Sequence, residues 1–575
     1  MQLSLLDYGL ILGFFAISLI IGIIASRTSG KDAKSFFLSG RNMPWWLLGV
    51  SMVATTFAAD TPNLVAGIVR QDGVYGNWVW WSFLLTGMLT VFFYAKLWRR
   101  SGINTDLEFY ELRYKGKSAA FLRGFRAVYL GVFFNIVIMA NVCLAAIKIG
   151  HVMFGYSAGQ TLLLASLVTV FYSMLGGLKG VLLTDFVQFI IAMVGSIWAT
   201  VYIVNLPEIG GLKTLISTPE VASKISMFPD FSNPEIVIPI LLVPLAVQWW
   251  SVWYPGSEPG GGGYIAQRML AAKNEKHATW AVLFFNIAHY AIRPWPWIII
   301  GLASLIIYPN LEALQAAFPG LSSNFVKNDL SYPAMLTLLP AGLLGLVVTS
   351  LVAAFMSTIS THLNWGSSYV VNDLYKRFIR PEAKERELVI TGRISTLIMM
   401  ICAAFLSLIL EEAKEAFDLM LQIGAGTGLL FILRWFWKRI NPYSEIAAMV
   451  ISFLIALVFF IDGKLAEPFF EIAGYMKLII GVVVTTVGWV TVTLLTPETD
   501  KETLENFNQL IFGKASKFEG FRYKIVCFLA GVAGVYAVLL GTGYMIYKNY
   551  VNFGIMLLIA ITSIVVIGKL WKKIN

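Results

Sequence analysis

Apolar runs of about twenty residues follow one another along almost the whole chain, each able to cross roughly 30 Å of hydrocarbon as a helix. That repetition constrains the fold more than any other feature, because a chain inside a bilayer must satisfy every backbone N–H and C=O within itself. Runs this long, without strict alternation, specify helices. By this length criterion about fifteen spans are read between residues 6 and 571. Only 13% of residues are charged against 58% hydrophobic, which excludes a soluble globule and makes the lipid bilayer the principal partner.

A net charge of +10 does not point to nucleic acid, because the basic residues sit in short clusters between spans: RTSGKDAK, KLWRR, QRMLAAKNEKH, LYKRFIRPEAKER, WFWKRI and KLWKK. Alternate loops are basic, the pattern that orients a polytopic protein in a plasma (inner) membrane, here with the N-terminus outside and the C-terminus cytoplasmic. The first run, near 6–26, lacks the basic n-region and cleavage site of a signal peptide and is expected to stay as an anchor helix. Cys143, Cys402 and Cys527 lie in apolar segments at spacings that suit neither zinc nor a disulfide framework. The chain contains no GxxxxGK[ST] phosphate loop to suggest driving by nucleotide hydrolysis. His151, His277, His289 and His362 are scattered, and no nucleophile and base are paired, so an enzyme is not indicated. Nothing suggests an obligatory protein partner.

Two spans cannot be continuous helices. In SMVATTFAADTPNLVAGIV, Asp60, Thr61 and Pro62 interrupt an apolar run, and proline both removes a backbone donor and disfavours helix in the residue before it. In LLVPLAVQWWSVWYPGSEPGGGGYIAQRML, Pro255, Gly256, Pro259 and four consecutive glycines do the same. Counted from the first helix after the anchor, these are the first and the sixth. Interrupted segments at corresponding positions of two halves point to inverted repeats with a binding site at the membrane midplane. The chain then divides into an anchor and cytoplasmic loop (1–44), a first repeat (45–205), an external loop (206–234), a second repeat (235–437) and accessory helices (438–575). A charged stretch, 496–524, reads as a cytoplasmic helix or linker.

Within the span near 335–375, Ala354, Ser357, Thr358 and Thr361 fall at i, i+3, i+4 and i+7, with Ser360 on the flank. Several hydroxyls therefore share one face of a membrane helix. Two readings stand: close helix packing with hydroxyls bonded back to their own carbonyls, or an oxygen-lined site for a hard cation such as Na+.

Ionisable residues inside the spans are few. An ionised carboxylate at a helix centre costs roughly 3 kcal/mol on insertion scales, so Asp185 is expected to face a cavity or counter-ion, or else to lie near the cytoplasmic interface beside Lys179. Asp60, Glu258 and Arg293 are further candidates for the midplane. Arg293 is read either as structural glue to Asp60 or Glu258 or as a bidentate clamp for a substrate carboxylate.

The segments SFFLSGRNMPWWLLGVSM, GGLKGVLLTDFVQ, YIAQRMLAAKNEKHA, AAFMSTIST and NDLYK, in register over roughly 30–440, resemble the sodium/solute symporter family, the sodium/sugar and sodium/proline carriers among them. The resemblance implies an all-α, LeuT-like fold of two inverted five-helix repeats, with one N-terminal and about four C-terminal extra helices. It implies a Na+ site between the first and eighth helices, carried here onto the carbonyls of Ala54, Phe57 and Ala354 and the hydroxyls of Ser357 and Thr358. Some similar members have a second Na+ site on the aspartate and three hydroxyls matched by Asp185, Ser357, Ser360 and Thr361, so two ions are expected.

For the substrate cavity, the lysine of the sugar-carrying branch is matched by His289, and Gln422 lies near its polar residue on the tenth helix. Asp60, Thr61 and Glu258 depart from the family pattern, and Trp80, Trp253 and Tyr254 either stack on a sugar or pack the bundle. The function expected is Na+-coupled import of a small organic solute, a sugar or polyol first. An amino acid or carboxylate, proton coupling through Asp185, or a membrane sensor with a transporter fold are the alternatives.

Overall fold

The computed structural model describes residues 3–252, 258–319, 326–409, 422–465, 469, 471–513 and 517–574. Among these residues the protein is helical, and strand-type pairing is limited to an isolated bridge between Met43 and Ala272. The elements used below are α1 (Leu5–Ser29), the bent pair α2 (Trp45–Thr56) and α3 (Thr61–Gln71), α4 (Val74–Ser101), α5 (Lys117–His151), α6 (Ala158–Val204), α7 (Pro234–Trp250) and α8 (Gly263–Ala271). They continue with α9 (Glu275–Ile307), α10 (Leu343–Ile379), α11 (Glu385–Ser407), α12 (Pro442–Gly463), α13 (Gly474–Leu495), α14 (Phe521–Ile546) and α15 (Tyr550–Ile574).

Among the described residues, 11 helices are long and apolar enough to span a bilayer, with α2 and α3 forming one further broken span. The larger number read from the sequence divides α6 in two. At 47 residues α6 would run about 70 Å if straight, more than twice the hydrocarbon thickness. It bends at Gly177, whose φ of 53° is open to glycine and where a Cβ would lie 2.7 Å from the Phe36 carbonyl. The expected turn at LGGLKG is therefore present as a kink. The spans expected near 235 and 415–437 lie partly outside the described residues.

α10 occupies the centre, buried over nearly its whole length, and packs on α6, α1, α5, α11 and α2. Its start is fixed by the anchor helix. Asp7 of α1 accepts from the backbone N–H groups of Gly342 and Gly345, both at 2.7 Å, so a carboxylate caps the positive end of α10. α2 packs on α6 and α9, and α3 on the last turns of α9. The pairs α12–α13 and α14–α15 are peripheral, and α15 is exposed almost throughout, as befits a lipid-facing helix.

The basic clusters gather at one end of the bundle. Arg99 donates to the Ala272 carbonyl, and Arg100 pairs with Glu275 at 2.9 Å and donates to Ile511 of the amphipathic helix Lys501–Phe512. The stretch expected to be a cytoplasmic helix thus packs at the end where the basic loops meet.

Candidate functional site

α2 stops at Thr56, and α3 restarts at Thr61 after a bend of 57°. The expected interruption at Asp60, Thr61 and Pro62 is present but falls earlier, at 57–60. Pro62 stands in the first turn of α3, where a missing N–H has no helical partner to lose. At the break the Phe57 N–H bonds to the Val53 and Ala54 carbonyls, 3.0 and 3.1 Å away.

The hydroxyl face of α10 meets this end of α2. Thr358 Oγ1 donates to the Thr55 carbonyl at 3.0 Å, and Thr361 Oγ1 lies 2.9 Å from Thr55 Oγ1. Ala54, Phe57, Ala354, Ser357 and Thr358 are all buried at this seam. The close-packing and cation-site readings of the face are both served by this contact. A hydroxyl that gives its proton to a carbonyl keeps its lone pairs for a cation.

Asp185, on α6, is fully buried beside the same face, away from Lys179, which bonds instead to Thr28. Ser357 Oγ donates to one carboxylate oxygen at 2.7 Å and Ser51 Oγ to the other at 2.5 Å. Arg268 of α8 lies 4.0 Å from that second oxygen and donates to Ser51 and, at 2.8 Å, to Thr361 Oγ1. Of the hydroxyls matched to a second ion site, Ser357 reaches Asp185, Thr361 faces Arg268, and Ser360 bonds the Ser357 carbonyl of its own helix at 3.1 Å.

Ser51, Thr55 and Arg268 were not singled out from the sequence. Ser51 and Thr55 stand four apart on α2, so a search for hydroxyl faces extended to that helix finds them. Arg268 sits in QRMLAAKNEKH, where it reads as an orienting loop charge, yet it is wholly buried.

A cavity of about 60 Å3 opens beside the break, its wall including Thr56, Thr86, Thr90, Glu258 and His289. That is room for a few waters, so a sugar-sized solute requires the helices to part. α4 and α9 carry π-helical turns here, at Thr90–Tyr94 and Ile287–Ile292, irregularities that recur at functional positions. His289 Nδ1 is 2.9 Å from Thr56 Oγ1, and Trp80 packs behind it, edge-on to the imidazole and stacked on Tyr290.

Glu258 pairs with Arg126 of α5 at 2.5 Å, so of the alternatives read for Arg293 the pairing with Glu258 is not formed, which leaves Asp60 and a substrate carboxylate. Nearby, in the connection between α4 and α5, Asp106 accepts from the Gly263 N–H at 2.8 Å and from the Tyr369 hydroxyl. Burial, with the Glu258 carboxylate adding to it, pushes the Asp106 carboxyl up to about 6. Arg293 is buried behind the break, donating to the Val53 carbonyl and to Thr56 Oγ1, both at 3.3 Å, with its guanidinium over the stacked rings of Phe57 and Trp297.

Asp60 stands at the start of α3, and Thr61 Oγ1 reaches the Thr56 carbonyl at 3.4 Å. Gln422 is half-buried just before the turn at 425–427. Trp253 and Tyr254 lie outside the described residues.

Residues 36–452 match the model of the sodium:solute symporter family. The chain belongs to that family. Among curated symporters it is 26% identical over 501 residues to a sodium/glucose cotransporter of Vibrio parahaemolyticus, covering 84% of this chain and 90% of the relative. It is 25% identical over 529 residues to a sodium/sialic acid symporter of Proteus mirabilis, covering 87% and 98%. In three dimensions it resembles a substrate-bound, outward-open Na+-coupled sialic acid symporter, with a TM-score of 0.70 at 21% identity over 87% of this chain and 99% of that one. The expected all-α, LeuT-like symporter fold is therefore the fold of this chain.

Proposed function

We infer that this sodium:solute symporter carries a small organic solute, a sugar or polyol, into the cell together with Na+. The reading is supported by the family match and by one observation above the rest: the hydroxyl face of α10 closes on the break of α2, with Thr358 bonded to the freed Thr55 carbonyl. Na+ at that seam would be held by the carbonyls of Ala54, Phe57 and Ala354 and the oxygens of Ser357 and Thr358, whose protons go to Asp185 and the Thr55 carbonyl and leave lone pairs for a cation. The relatives that carry glucose and sialic acid support a sugar-like solute.

A second Na+ binds at Asp185, Ser357, Ser360 and Thr361. Because Arg268 already stands 4.0 Å from Asp185, that carboxylate has one counter-charge and the second ion has the weaker site. Two ions moved inward with a neutral solute gain about 4.6 kcal/mol per 100 mV, which sustains a concentration ratio of roughly three decades. The protein sits in the plasma membrane with its basic end, and so its C-terminus, in the cytoplasm.

A panel of sugars, polyols, amino acids and carboxylates, screened for thermal stabilisation of the purified protein in Na+ against K+, tests this reading, since a bound solute stabilises by mass action. A Na+-dependent shift with a sugar or polyol is expected. A shift independent of Na+, or one confined to amino acids, contradicts it.

A further inference from the structure

Four polar groups on the wall of the cavity beside the break, Glu258, Thr86, Thr90 and His289, present hydrogen-bond acceptors to it. Glu258 is 3% exposed and lines the cavity, with one carboxylate oxygen held by Arg126 and the other, Oε2, without a hydrogen-bond partner among the described residues. A buried carboxylate oxygen left this way costs free energy until a donor reaches it.

Thr86, Thr90 and His289 have the same polarity, while the hydroxyls of Tyr264 and Tyr290, also on the wall, can both donate and accept. Thr86 gives its proton to the Trp249 carbonyl, and Thr90 gives its own to the Thr86 carbonyl at 2.9 Å, so both offer only lone pairs. Thr56 donates to the Val53 carbonyl at 2.9 Å, which obliges His289 Nδ1 to be the donor in their contact. In a neutral imidazole Nε2 is then an acceptor. Behind the wall residue Gly87, Asn286 donates its Nδ2 to the Val282 carbonyl, which fixes the amide and leaves Oδ1 buried and without a hydrogen-bond partner among the described residues. A Cβ at Gly87 would lie 1.7 Å from that oxygen.

From this polarity we propose that Glu258 is the principal solute-recognition group of the cavity, and that it selects a polyhydroxylated solute without a carboxylate. Hydroxyl groups supply the donors that Glu258, Thr86, Thr90 and His289 lack, whereas a carboxylate would set like charge and lone pairs against Glu258 in a site shielded from water. Arg293 does not reverse this preference, because it is not among the residues that line the cavity: it lies behind the wall, where its Nη1 donates to the Val53 carbonyl and Thr56. The inference rests on the symport reading and narrows its solute.

The test uses the full chain in liposomes with an inward Na+ gradient and three probes: myo-inositol, D-glucose, and D-glucuronate, which differs from glucose by a carboxylate. The wild type is expected to take up the neutral probes with kcat/KM at least tenfold above glucuronate. Glu258→Gln, which replaces a lone-pair oxygen by an amide donor, is expected to raise KM for the neutral probes about tenfold or more and to narrow the glucose-to-glucuronate ratio. Glu258→Asp, which keeps the charge, should fall between.

Wild-type preference for glucuronate overturns the proposal. So does a Glu258→Gln protein with unchanged KM and ratio, or Na+-induced stabilisation with uptake of none of the three probes. If Glu258→Gln does not fold, the wild-type ratio alone decides. Absence of both uptake and any Na+ response overturns the symport reading as well, and so separates the two failures.

Discussion

Replacing Ser357 by alanine separates a working ion site from helix packing. In the structure its hydroxyl donates to Asp185 at 2.7 Å, both groups fully buried. Removing a hydrogen bond to a charged acceptor costs about 1.5–3 kcal/mol, so a lower melting temperature is expected on either reading. The ion-site reading adds a second effect. Losing one of five oxygen ligands of comparable strength should raise the Na+ concentration for half-maximal uptake about tenfold to a hundredfold, at 1.4 kcal/mol per decade.

Ser367→Ala is the control on the same helix. Its hydroxyl belongs to neither ion site and donates to the Asn364 carbonyl of its own helix at 3.1 Å, so Na+ dependence should stay at the wild-type value and melting should change by no more than about 0.5 kcal/mol. The assay is Na+ titration of solute uptake in proteoliposomes, with melting of the same preparations. A Ser357→Ala protein that is destabilised yet keeps the wild-type Na+ dependence would refute the ion-site reasoning and leave Ser357 a packing and hydrogen-bonding residue.

Thr358→Ala should also weaken Na+ activation by about tenfold with modest loss of stability, because it frees the Thr55 carbonyl as well as removing a ligand; Na+ titration checks it. Asp185→Asn should lower the Na+:solute ratio from two to one in reversal-potential measurements, and an unaltered ratio would remove the second site. Asp7→Ala deletes the carboxylate that caps α10, so the protein should lose about 1–2 kcal/mol in thermal or denaturant unfolding while its solute preference stays the same. Gly87→Ala should cost about 1–3 kcal/mol in thermal or denaturant unfolding, since a Cβ there would lie 1.7 Å from Asn286 Oδ1 and the buried amide must move; unchanged melting would contradict the packing described there.

The helices were legible because a bilayer leaves the backbone few choices, and apolar runs of spanning length report them directly. The hydroxyl face of α10 was legible for a similar reason. A period of 3.6 places Ser357, Thr358 and Thr361 together whatever the rest of the chain does. The break in the first span was found but shifted, since Pro62 marks where a helix is allowed to begin as readily as where one must end.

What escaped the sequence were the pairings between distant segments. Arg126 and Glu258 stand 132 positions apart, and no local period connects them. Arg268 was hidden by its neighbours, in a basic stretch whose other charges do orient the chain while its own guanidinium is buried between Ser51 and Thr361.

The central claim is that a Na+ gradient drives solute accumulation through this protein. It is tested most directly by uptake of labelled D-glucose and myo-inositol into proteoliposomes, with the membrane potential clamped by K+ and valinomycin and Na+ imposed on one side only. The account predicts transient accumulation above the external concentration under an inward Na+ gradient, larger when the interior is negative and absent when Na+ is replaced by K+. Uptake that only equilibrates, or that is unaffected by replacing Na+, would contradict it.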